Sequence, residues 1–178
     1  RFRVIDRIAE APKPAALRGT VVHAVLEHLF DLPAGTRTPE AAVMMVAPQW
    51  ARIQEEKPEA GQLFDGDPIA IEQWLVEAQE LLRRWFALED PNRLEPAERE
   101  LYVETMLDDG LLLRGYVDRI DVAPDGRMRV VDYKTGRSPG EGFEQRALFQ
   151  MRFYALALWR SRGEVPRLLT NADLERMV

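Results

Sequence analysis

The chain has 178 residues, 46% of them hydrophobic and 30% charged, which suits one folded domain with a sizeable core. No apolar run approaches the ~20 residues of a membrane span and no signal peptide opens the chain, so a cytoplasmic protein away from membranes is expected. The absence of Cys excludes disulfides and cysteine-ligated zinc or iron–sulfur sites in this sequence, while the net charge of −6 argues, taken alone, against a nucleic-acid partner.

Arg1-Phe2-Arg3-Val4 starts abruptly without Met, so further sequence upstream is expected. Helices follow near residues 17–31, 40–57 and 68–88. In the third, Trp74, Leu75, Ala78, Leu81, Leu82, Trp85 and Phe86 recur at helical spacing, and a core face explains them better than an aromatic nucleic-acid platform. Leu32-Pro33-Ala34-Gly35 and Asp65-Gly66-Asp67-Pro68 are turn-rich connections. Strands are expected near 98–107, 111–122 and 127–134, and a helix near 143–162. Pro166-Arg167-Leu168-Leu169 is a candidate further strand, with a break expected between Leu169 and Thr170-Asn171-Ala172-Asp173. No internal repeat or low-complexity tract interrupts the chain.

The most informative stretch runs from Arg114 to Ser138, two apolar strands joined at Pro124-Asp125-Gly126. Each strand holds an acid, Asp118 and Asp132, and Lys134 follows two residues after the second. Strand interiors disfavour Asp and Lys, and a buried carboxylate without compensation is costly, so a divalent cation is the natural partner. A three-residue loop with Gly126 in the left-handed region would set Ala123 opposite Arg127 and Asp118 opposite Asp132, with Tyr116 facing Lys134. Their Cβ atoms would then lie ~5 Å apart, within reach of one hard cation. A two-residue Asp125-Gly126 loop would instead pair Arg119 with Asp132. Lys134 is one of only three lysines, with Lys13 and Lys57, against 21 arginines. In a chain that uses Arg for generic charge, this scarcity weakens the competing reading of Lys134 as a salt-bridge partner of Asp132.

Gly115-Tyr116-Val117-Asp118-Arg119-Ile120-Asp121, a short turn, and Asp132-Tyr133-Lys134-Thr135-Gly136 together resemble the core of the PD-(D/E)xK nuclease superfamily in its RecB-like branch. Three further pieces extend the resemblance from about Arg18 to Tyr154. Gly19-Thr20-Val21-Val22-His23-Ala24-Val25-Leu26-Glu27 resembles the upstream helix whose histidine contributes to the metal site; His23 shares a helical stripe with Glu27 and Phe30. His28 falls on another face and is read as solvent-facing. In Ala97-Glu98-Arg99-Glu100-Leu101-Tyr102-Val103 the family's strand-leading glutamate corresponds to Glu100, with Glu98 as the fallback and an exposed edge charge as the alternative. Gln150-Met151-Arg152-Phe153-Tyr154 matches Q-x-x-x-Y, implying that Gln150 and Tyr154 support the catalytic strand and contact the DNA backbone; Leu148, Met151, Ala155 and Leu158 make ordinary packing the competing explanation.

The resemblance implies a restriction-endonuclease-like α/β fold, a mixed sheet flanked by helices, formed by residues 1–178 as one nuclease domain. It implies a metal-dependent DNA nuclease, an exonuclease in preference to an endonuclease, acting in DNA repair or recombination. Asp118 and Asp132, with His23 and the Tyr133 carbonyl, would cage Mg²⁺ or Mn²⁺. Glu100 would point into the site, Lys134 would activate the attacking water, and Arg119 would join Gln150 and Tyr154 in support or DNA contact. Single-stranded DNA or duplex ends are the expected substrates, with a helicase as a possible partner. The Arg-rich segments Arg114–Arg119, Arg127–Arg137 and Arg146–Arg152 surround the expected site and the acids gather at Glu55–Glu59 and Glu72–Asp90, a segregation that permits a basic cleft on an acidic body. The alternatives are a catalytically silent nuclease-fold module that binds DNA or scaffolds a helicase, and a hydrolase of another phosphodiester. The complete set of Asp118, Asp132 and Lys134 speaks against the first.

Overall fold

The computed structural model describes residues 13–136 and 141–174, without the side chains of 141–144 and 146. The expectations for Arg1–Val4, for Arg137 and for the side chain of Arg146 lie outside these described residues. The chain divides into two compact units, with 96–133 and 141–172 in one and 13–95, 134–136 and 173–174 in the other.

The second unit is helical: α1 (Pro14–Leu29), α2 (Pro39–Glu56), the single turn α3 (Pro58–Gly61) and α4 (Pro68–Leu88). Each starts on a proline, whose missing N–H costs nothing at a helix start and whose φ is already helical. Thr38 caps α2 by accepting the Ala41 N–H, and Asp67 caps α4 by accepting those of Ile69 and Ala70. The α4 stripe is core, as expected: Trp74, Ala78, Leu81, Leu82 and Trp85 are buried. Trp74 packs with Trp50 and Phe64, and Trp85 lies edge-on to Phe30.

The first unit is built on a four-stranded sheet in the order β1 (Glu98–Met106), β2 (Leu112–Val122), β3 (Met128–Lys134), β4 (Leu168–Asp173). β1 and β2 are antiparallel, with Val103 opposite Gly115 and Tyr102 opposite Tyr116. β2 and β3 are antiparallel from Val122–Met128 to Arg119–Val131. Their loop is the three-residue one: Ala123 donates its N–H to the Arg127 carbonyl at 2.9 Å, and Gly126 sits at φ +81°, where only glycine is unstrained. The Arg167 N–H bonds the Met128 carbonyl and the Leu174 N–H that of Lys134, so β4 runs parallel to β3 and the sheet is mixed. The expected break after Leu169 is absent; β4 runs on to Asp173 because this pairing outweighs the weak strand preference of Thr-Asn-Ala-Asp.

Helix α5 (Glu141–Arg162) is the crossover that a parallel pair requires. It lies against the sheet closely enough that a Cβ on Gly115 would sit 3.2 Å from the Phe153 ring. Met151, Phe153, Tyr154, Ala157 and Leu158 of α5 join Val103, Val117, Ile120 and Val130 of the sheet in one buried core.

Candidate active site

The site begins where the β2–β3 ladder ends. The last backbone pair is Arg119–Val131, and Asp118 and Asp132 are the next residues along each strand. There a side chain replaces a carbonyl: the Tyr133 N–H donates to Asp118 Oδ2 at 2.6 Å. Asp118 is 9% exposed and Asp132 only 2%. One oxygen of Asp132 accepts the Gln150 amide N–H at 2.9 Å.

Gln150 also donates to the Tyr154 hydroxyl at 2.6 Å, and Tyr154 donates to the Tyr116 carbonyl at 2.6 Å. The four-residue spacing on α5 thus serves both strands, one side chain reaching β3 and the other β2. Burial, followed by the negative fields of Asp132 and Asp118, drives the Tyr154 phenol far above its ordinary range; Glu100 adds to the effect. Tyr154 is therefore a neutral hydrogen-bond donor, and three carboxylates lie within electrostatic reach of its hydroxyl.

Glu100 stands opposite Asp118 when the β1–β2 register is read through it, and its φ of +45° is one of two positive values among described non-glycine residues. A side chain in that region is disfavoured and persists only where the surroundings impose it. Glu100 and Asp118 each present a carboxylate oxygen within 4.8 Å of the other. Glu98, the fallback, is occupied differently, accepting a bond from Arg162 Nη2 at 3.2 Å. Oxygen donors this close suit a hard divalent cation better than they suit one another.

The other expected residues have settings of their own. Arg119 is fully buried, donating to the Tyr133 hydroxyl at 2.8 Å and pairing with Asp121 at 3.0 Å. Burial removes contact with DNA from its two expected roles and leaves support. Arg129 also pairs with Asp121, at 2.6 Å, and Arg127 pairs with Asp125. Arg119 and Arg129 of the Arg-rich segments thus share one acid, Asp121, and Arg127 pairs at the surface with Asp125. Lys134 ends β3 and is partly buried. His23 lies in the helical unit, partly buried on α1 beside the stripe of Val21, Val22, Val25 and Leu26. His28 is 32% exposed and bonded to Asp31 at 3.0 Å.

Two partnerships were not anticipated. Asp121 gathers two arginines, a role foreshadowed only by the second acid of G-x-x-D-R-x-D. Arg37 is 3% exposed and donates to the carbonyls of Leu32, Phe30, Pro91 and Leu94. No sequence pattern marks it.

The model of the PD-(D/E)XK nuclease superfamily matches residues 1–174. The chain belongs to that superfamily. The superfamily is one of nucleases. The chain is also similar to the Gene 69 protein of Mycobacterium phage D29, with 48% identity over 69 residues, covering 38% of this chain and 23% of the phage protein. It is 46% identical over 50 residues to the Gene 69 protein of Mycobacterium phage L5, covering 28% of this chain and 15% of that one. The chain therefore spans less than a quarter of the curated relatives it matches. No described helix is long and apolar enough to cross a membrane.

Proposed function

We propose that this PD-(D/E)XK protein is a divalent-metal-dependent deoxyribonuclease of the RecB-like branch, acting as an exonuclease in DNA repair or recombination with its two units working as one domain. The observation that supports the reading is the approach of Glu100 and Asp118, whose carboxylate oxygens lie within 4.8 Å of one another where the β2–β3 ladder ends, with Asp132 following the last paired residue of β3 and Lys134 two residues beyond it. Glu100, Asp118, Asp132 and the Tyr133 carbonyl are the proposed oxygen ligands. His23 is the proposed nitrogen ligand on the strength of its place in the G-x-x-x-H-x-x-L-E pattern. A bound Mg²⁺ or Mn²⁺ supplies charge neutralisation at the phosphate and acidifies water. Lys134 orients the attacking water on the strand that carries Asp132. The Tyr133 N–H holds Asp118 and the Gln150 amide holds Asp132, so each carboxylate keeps one fixed orientation. Tyr154, always protonated, locks α5 to β2 through the Tyr116 carbonyl.

The test is incubation with single- and double-stranded DNA, free or blocked at the ends, in Mg²⁺, Mn²⁺ or EDTA. Cleavage that needs a cation and a free end is expected. Cleavage in EDTA removes the metal, cleavage of blocked substrates removes the exonuclease assignment, and no cleavage under any condition removes the nuclease reading. His23→Ala should weaken cation binding measured by calorimetry. The short share of the phage relatives that the chain covers leaves a helicase partner as a proposal too, testable by co-purification.

A further inference from the structure

Beyond the carboxylates, the same pair of strands presents two aromatic rings to solvent. Along β1 Val103 and Thr105 are buried while Tyr102, Glu104 and Met106 are exposed; along β2 Gly115 and Val117 are buried while Leu112, Arg114 and Tyr116 are exposed. The buried set faces α5, so the exposed set forms the opposite, open face. Tyr102 and Tyr116 are directly opposed in the register, with ring centroids 5.3 Å apart, 60° between planes, and exposures of 45% and 52%. Two residues along each strand stand Glu100 and Asp118. That step is a strand rise of ~7 Å, about two stacked nucleotides at ~3.4 Å each.

We propose that Tyr102 and Tyr116 form a stacking platform for an unpaired base of single-stranded DNA whose phosphodiester lies at Glu100 and Asp118; the proposal rests on the nuclease reading and names its substrate. An aromatic face accepts any unstacked base, whereas paired bases inside a duplex offer no free face. The Tyr102 hydroxyl is tied to Glu104 at 2.7 Å, so its ring is held before a base arrives. Arg114, exposed beside Tyr116, offers a cation to the strand's phosphates. The platform is continuous with the site, since the Tyr116 carbonyl is held by Tyr154, whose partner Gln150 holds Asp132. A cross-strand aromatic pair can also serve only the sheet, and the experiment separates the two roles.

A single-stranded oligodeoxynucleotide carrying one 2-aminopurine is titrated with the protein in Ca²⁺, and the same base is titrated within a blunt duplex. Fluorescence quenching is expected with the single strand and not with the duplex. Tyr102→Ala should abolish the quenching and weaken single-strand binding about tenfold, the usual scale for one lost base–aromatic stack. Tyr102→Phe should retain both. If the alanine variant melts early, Tyr102→Leu restores apolar cover without a stacking face and should behave like alanine in binding. Quenching and affinity unchanged in a folded alanine or leucine variant overturn the proposal. So does a variant that alters only the oligomeric state on gel filtration, which would make this face a contact between copies of the chain. Because this readout needs no turnover, a wild-type protein that binds and quenches yet never cleaves would count against the nuclease reading and leave the platform standing.

Discussion

On the proposed reading Glu100 combines two demands that conflict: a carboxylate beside Asp118 is to hold a cation, yet the backbone there takes φ +45°. Glycine would relieve the backbone, so Glu100→Gly should raise the melting temperature in EDTA, by roughly 1 kcal/mol of stability, while cleavage is lost. A glycine variant that is both less stable and fully active would show the carboxylate to be incidental. Lys134 separates catalysis from mere binding. Lys134→Ala should lower the cleavage rate ~10²-fold or more, and Lys134→Arg should not restore it, because a guanidinium is broader and stays protonated. Near-normal rates with reduced stability would reassign Lys134 to a salt bridge. Tyr154 offers a pH signature. Its folded-state pKa is raised above the ordinary value of about 10, so above that pH the unfolded chain releases a proton that the native chain keeps. Its contribution to stability is full below pH 10 and falls as pH climbs beyond it. Urea melts in EDTA at pH 9 and pH 11 should show a larger loss for wild type than for Tyr154→Phe.

At the scale of elements, the hairpin was the most legible part of the chain. Pro124-Asp125-Gly126 admits few loop geometries, and a period of two then sets Arg119–Val122 against Met128–Val131. The helices were legible by periodicity: 68–88 matches α4 at both ends, while 17–31 and 40–57 start late because Pro14 and Pro39 serve as first helical residues. The short turns at Pro58–Gly61, Gln62–Phe64 and Pro91–Arg93 escaped, being too brief for a period to register. What composition hides is which charges are spent on one another. Arg119 and Arg129 look like phosphate ligands in a string of letters and become internal partners of Asp121 once β2 and β3 pair. Arg37 is the extreme case, a buried guanidinium satisfying the carbonyls that follow α1 and flank residues 91–94. Arg37→Met should destabilise the chain by about 2–4 kcal/mol through those orphaned carbonyls, whereas Glu95→Gln, altering a 76% exposed partner, should change little. Chemical denaturation of both variants checks this.

At the scale of the whole molecule, a chain of net charge −6 that pairs its strand arginines internally should hold DNA through few phosphates. Plotted as log affinity against log salt, single-strand binding should fall with a slope of about −2, the release from roughly three phosphates. A slope several times steeper would reveal a basic surface outside the described residues. The order of the sheet has a temporal consequence. β2 and β3 meet across three residues, whereas β4 reaches β3 only after the whole of α5 has intervened. Short loops close early and parallel pairings close late. During folding, Asp118 and Asp132 should therefore face each other before Gln150 and Tyr154 arrive to hold them, leaving two repelling carboxylates in a nascent hairpin. A divalent ion in the refolding buffer would relieve that repulsion early, so stopped-flow refolding should run faster in Mg²⁺ than in EDTA, and Asp132→Asn should erase the difference.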